Sequence, residues 1–108
     1  MSIQSSTATD GWIVNFLNAY NCKVANCNIS FTNSSAQTSA GSNLAGVVIN
    51  GNATTMTLQT GTTDSIYIDT CTLSYGYYNI MCGANNNSTW PTIWMRGDSM
   101  ANAYNAAF

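Results

Sequence analysis

Residues 66–75 read IYIDTCTLSY. Ile66, Ile68 and Leu73 are apolar, and Tyr67, Asp69, Thr72 and Ser74 are polar or amphipathic. From Ile66 to Asp69 the alternation has period two, the pattern of a strand with one buried face. The step from Ile68 to Leu73 is odd, so one straight strand cannot hold all three on one side. The chain is therefore expected to bend near Thr70 and Cys71. The same ten columns recur as CKVANCNISF at 22–31 and IWMRGDSMAN at 93–102. One apolar column collects Cys22, Ile66 and Ile93, the next Val24, Ile68 and Met95, the last Ile29, Leu73 and Met100. The bend columns hold Asn26, Thr70 and Gly97, then Cys27, Cys71 and Asp98. Asn and Gly accept bend geometry at small cost.

A second strand follows each unit. GVVIN at 46–50 resembles NIMCG at 79–83, with AAF at 106–108 starting a third copy. WIVNFLN at 12–18 reads as the end of an earlier turn, and residues 1–11 as a lead-in. The units begin near 22, 66 and 93, and the stretches 32–45, 51–63 and 84–92 read as loops, with TMTL at 55–58 as a short third strand. Strand, bend, strand and loop repeated with matching buried columns is the sequence mark of a solenoid. Its strands would stack in parallel at about 4.8 Å.

VANCNISF, IDTCTLSYGYYNIMCG and LAGVVINGNATT resemble right-handed parallel β-helix repeats of the pectate-lyase-like type, over about residues 12 to 108. The resemblance implies an all-β fold, a right-handed parallel β-helix of three to four turns. YGYYNI at 75–80 is most similar to the bacterial surface and secreted members. The family also contains polysaccharide lyases, hydrolases and phage tailspikes, so the fold implied does not fix an activity. Neither end reads as a cap, and the expectation is an uncapped fragment of a longer solenoid, or a unit that stacks on other subunits.

Composition agrees with an all-β reading. The 108 residues carry two cations, Lys23 and Arg96, four Asp, no Glu and no His, with net charge −2. Asn, Ser, Thr and Gly take the place of charge, and they favour turns and strand surfaces. A nucleic-acid surface needs a basic face, which this chain lacks. No apolar run has the length of a membrane-spanning helix. The residues call for no cofactor, and with no His no cysteine spacing matches a zinc site.

Few residues stand out as chemically active. Cys27 and Cys71 share a column, and stacked free thiols are the expectation, with a disulfide as the alternative. Asp69 and Arg96 share an outward column and are expected to form a surface ion pair. No further polar partners suggest catalysis, and general acid–base machinery is thin without His or Glu. Tyr67 and Trp94 share an outward column with Lys23, and Trp90 lies in the loop ANNNSTWPT at 84–92. Tyr67, Trp94 and Trp90 are the candidates for a sugar platform, where rings supply apolar contact and nearby amides supply hydrogen bonds. Ordinary cross-strand stacking is the simpler use of the same rings. Arg96-Gly97-Asp98-Ser99 has the form of an integrin-adhesion tetrapeptide, but it falls on a strand and its bend, where a mobile loop would be needed.

The function expected is that of a non-enzymatic segment of an extracellular or cell-surface scaffold, for adhesion or for binding polysaccharide or cell-surface glycan. The alternatives are part of a polysaccharide lyase or hydrolase, including a tailspike-type depolymerase, and a structural subunit of a fibre or filament.

Overall fold

A computed structural model describes residues 1–5, 10–31, 43–52, 54–55 and 57–103. They form an all-β structure dominated by three parallel sheets. The first sheet joins β2 (Asp10–Phe16), β5 (Asn43–Ile49) and β10 (Tyr78–Cys82), with β5 in the middle. The second joins β3 (Tyr20–Ala25), β8 (Asp64–Asp69) and β11 (Ile93–Arg96), with β8 in the middle. The third runs β1 (Ser2–Ser5), β4 (Asn28–Phe31), β9 (Thr72–Ser74), β12 (Ser99–Ala101). The chain visits first, second and third sheet in that order three times, so each sheet gains one strand per pass.

The register is the one the column alignment predicts. Cys22 pairs with Ile66 and Ile66 with Ile93, while Val24, Ile68 and Met95 form the next row. In the third sheet Ile29, Leu73 and Met100 share a row. Ile66, Ile68, Leu73 and Ile29 are fully buried and form one core with Val47, Ile49 and Ile80. In β5 every residue from Leu44 onward is buried, as expected of a central parallel strand covered on both faces. This burial on parallel strands is the main stabilising term, at about 25 cal/mol per Å² of apolar surface removed from water.

The bend inferred from the odd column step has a definite backbone origin. Asn26, Thr70 and Gly97 all adopt left-handed φ, at 54°, 57° and 66°. One left-handed residue per pass redirects the chain between the second and third sheets. Backbone bonds stitch the bends together: Asn26 N–H donates to Asp69 O at 3.0 Å and Thr70 N–H to Arg96 O at 2.7 Å. Glycine and Asn reach this region readily, whereas Thr70 does so against its branched side chain.

Four expectations need amendment. Residues 2–5 lie in the stretch read as a lead-in, yet they form β1, paired in register with Asn28–Phe31. With Ile3 its only apolar residue, β1 gives no alternation to detect. The stretch read as loop 32–45 closes with the start of β5, because Asn43 to Ala45 pair with Asp10 to Trp12. The stretch 51–63 contains an antiparallel hairpin, β6 (Gly51–Asn52) with β7 (Thr57–Leu58), where the TMTL strand was expected. Part of 84–92 is a short 3-10 turn at Asn86–Ser88. The strand expected at 106–108 lies outside the described residues.

Candidate functional site

The outward face of the second sheet carries two rows of side chains. Lys23, Tyr67 and Trp94 pair across β3, β8 and β11, and Ala25, Asp69 and Arg96 pair two residues further on. The Tyr67 and Trp94 rings lie nearly parallel, 9° apart with centroids separated by 6.3 Å. That spacing falls within the range of favourable aromatic pairs. Trp94 remains 56% exposed. Both rings border a shallow groove of about 490 Å³, which is also lined by Lys23, Asp69 and Arg96.

Beside the rings lies an ion cluster. Arg96 donates from Nε to Asp69 Oδ1 at 3.2 Å and from Nη2 to Asp69 Oδ2 at 2.8 Å. Lys23 Nζ reaches the same Oδ2 at 2.7 Å, and the Thr70 hydroxyl donates to Oδ1 at 3.0 Å. Arg96, then Lys23 and Thr70, hold the Asp69 carboxyl far below its ordinary range. Asp69 in turn raises the Arg96 pKa, which keeps the guanidinium charged and makes it a poor base. The chain has only two cations, and both converge on this carboxylate. The cluster carries one net positive charge on a chain whose net charge is −2.

The expected Asp69–Arg96 pair is thus part of a three-residue cluster. Lys23 was readable as its third member. It sits two residues before Ala25, the residue paired with Asp69, so a long side chain on the same face spans the diagonal. Trp90 does not join Tyr67 and Trp94. It lines a separate groove of about 580 Å³ with Leu58, Met81, Cys82 and Pro91, beside the edge strand β10.

The remaining acids with described side chains serve the backbone. Asp64 Oδ1 accepts from Thr92 N–H at 2.7 Å, and this bond lowers the Asp64 pKa. Asp98 accepts from Cys71 N–H and from Arg96 N–H. Cys27 and Cys71 are buried free thiols at neighbouring bends. Their S–H groups point to backbone carbonyls: Cys27 Sγ donates to Ala25 O at 3.2 Å, and Cys71 Sγ to Asp69 O at 3.6 Å. Among the described residues no three His, Cys, Asp or Glu side chains are grouped as metal ligands would be. No helix among them is long and apolar enough to cross a membrane.

No protein-family model, curated protein or solved structure matches the chain.

Proposed function

We propose that the chain is a segment of a right-handed parallel β-helix that acts as a non-enzymatic extracellular or cell-surface scaffold, binding glycan on its second sheet. The observation that carries this reading is the nearly parallel pair of half-buried Tyr67 and exposed Trp94 beside the Lys23–Asp69–Arg96 cluster. A sugar presents C–H faces that pack on aromatic rings and hydroxyls that bond to charged groups. Sheet pairing holds the two rings on adjacent strands, which lowers the entropy lost on binding. The cyclic order in which the chain visits its sheets supports the β-helix part of the reading.

The same passes support stacking with further turns or subunits. β10, β11 and β12 belong to one pass, and each is the last strand of its sheet among the described residues. Their outer edges, unpaired among the described residues, offer backbone donors and acceptors for another parallel pass.

The deciding experiment is a glycan array probed with the wild-type chain and with Trp94→Ala and Tyr67→Ala. Retention of a defined glycan, lost in both variants while their thermal unfolding stays cooperative, supports the reading. Retention unchanged in both variants, or absent from the wild type, rejects it.

A further inference from the structure

We propose that Asp98 is a positioning residue for the aromatic face, and that Arg96-Gly97-Asp98 is a clamp on the edge strand, not an adhesion signal. Trp94 and Arg96 both stand on β11, which has a strand neighbour on one side only among the described residues. An edge strand is the most easily displaced part of a sheet, because half of its backbone bonding is missing. Something must fix where these two side chains lie relative to Tyr67 and Asp69.

Asp98 does this through both carboxylate oxygens. Oδ1 accepts from Cys71 N–H at 2.7 Å, and Cys71 belongs to the bend of the preceding pass. Oδ2 accepts from Arg96 N–H at 3.1 Å, at the end of β11 itself. One carboxylate therefore ties the edge strand to its neighbour next to the ion cluster. Bonds of this charge-assisted kind are about twice as strong as neutral ones. Gly97, at φ 66°, provides the backbone reversal between Arg96 and Asp98. In the two earlier passes the place of Asp98 is taken by Cys27 and Cys71, at the bends that follow β3 and β8.

All three residues of the tetrapeptide's Arg-Gly-Asp core are consequently committed within the fold. The Arg96 guanidinium grips Asp69 with two donors, Gly97 supplies the reversal, and both Asp98 oxygens are occupied by backbone N–H groups. A receptor that reads a free guanidinium and a free carboxylate would have to break these bonds first.

The positioning claim deepens the glycan reading where binding is its readout, but a spectroscopic arm tests it without any ligand. The probe is the near-ultraviolet circular dichroism of the Tyr67–Trp94 pair, recorded on wild type, Asp98→Asn, Asp98→Glu and Met100→Ala. Met100→Ala removes core packing from the same pass and serves as the stability control. Asp98→Asn is expected to lose the Trp94-dependent band below its unfolding transition, Asp98→Glu to restore part of it, and Met100→Ala to keep it. On any glycan that the wild type retains, Asp98→Asn should bind roughly ten-fold more weakly, the scale of one lost charge-assisted bond. An unchanged band in folded Asp98→Asn overturns the proposal, as does equal loss of the band in Met100→Ala. If both Asp98 variants fail to fold, the carboxylate serves global stability, and the positioning role is rejected. Attachment of integrin-bearing cells that a free Arg-Gly-Asp peptide inhibits overturns the clamp reading of the motif. A wild type that retains no glycan rejects the ligand reading alone, and the band still decides the role of Asp98.

Discussion

Arg96 on the edge strand grips Asp69 on the central strand through two hydrogen bonds, Nε to Oδ1 at 3.2 Å and Nη2 to Oδ2 at 2.8 Å. Lys23, on the third strand of the sheet, reaches the same Oδ2 on the diagonal and completes a cluster of cation, anion and cation across three strands. A planar fork on a carboxylate is a directional contact, unlike a pair of freely rotating charges. The cluster therefore fixes the face that carries Tyr67 and Trp94 as well as adding charge to it.

This arrangement predicts an acid-sensitive fold. Asp69 and Asp64 both have folded-state pKa values below their ordinary ones, through Arg96 and through Thr92 N–H respectively. A depressed folded pKa gives stability that is fully present above the unfolded value of about 3.9 and is lost as pH falls through the folded value. Urea midpoints should be flat from pH 7 to about pH 5 and fall steadily below about pH 4. Asp69→Asn should lower the midpoint at neutral pH and reduce the acid slope. A midpoint that does not fall in acid contradicts this account.

The left-handed bends make opposite predictions at two neighbouring positions. Gly97 has φ 66°, so Gly97→Ala should destabilise by about 1 kcal/mol through the αL penalty. Thr70 has φ 57° with a branched side chain, so Thr70→Gly relieves a comparable strain. Against that gain stands the loss of the Thr70 hydroxyl bond to Asp69 at 3.0 Å. Denaturant titration should place Thr70→Gly at or above wild type and Gly97→Ala below it. A Thr70→Gly variant less stable than Thr70→Ala would show that strain is not what distinguishes this position.

The repeat was legible because parallel stacking places like residues over like. Ile66 over Ile93 and Ile68 over Met95 leave a period that survives large changes in loop length. The odd step from Ile68 to Leu73 disclosed the bend, since no strand can change face without one. What escaped was everything held by backbone pairing in place of side-chain pattern. β1 presents no alternation, and the start of β5 is a strand because β2 lies beside it. At the candidate site, the Asp69–Arg96 pair follows from a shared column. Lys23 needed a diagonal, and the separation of Trp90 from Trp94 needed the path of the 84–92 stretch in space.

Gly51 reports on packing that no repeat column reveals. A Cβ placed there would lie 2.3 Å from the Trp12 ring and 2.7 Å from a Val48 methyl carbon. Neither approach is tolerable, and Val48 is fully buried. Gly51→Ala should therefore cost about 1–3 kcal/mol, the range for overpacking a filled site. Because Trp12 must move, its fluorescence should change in the folded variant. A neutral Gly51→Ala with unchanged Trp12 emission would place the hairpin β6–β7 further from β2 than the structure has it.

The four thiols should report the layering of the fold through their order of alkylation. Cys27 and Cys71 are buried at the bends, with Cys71 only 1% exposed, while Cys22 and Cys82 are half-buried on edge strands. Desolvation raises the Cys82 pKa and so lowers its thiolate fraction, which is the reactive form. In native protein at pH 8, iodoacetamide should label Cys22 first and Cys82 more slowly. Cys27 and Cys71 should react only at the rate of unfolding. Peptide mass mapping against time gives the order directly. Labelling of Cys27 and Cys71 at the rate of Cys22, with the protein still folded, would mean that the bends open independently of the core. The stacked second and third sheets would then not be one cooperative unit.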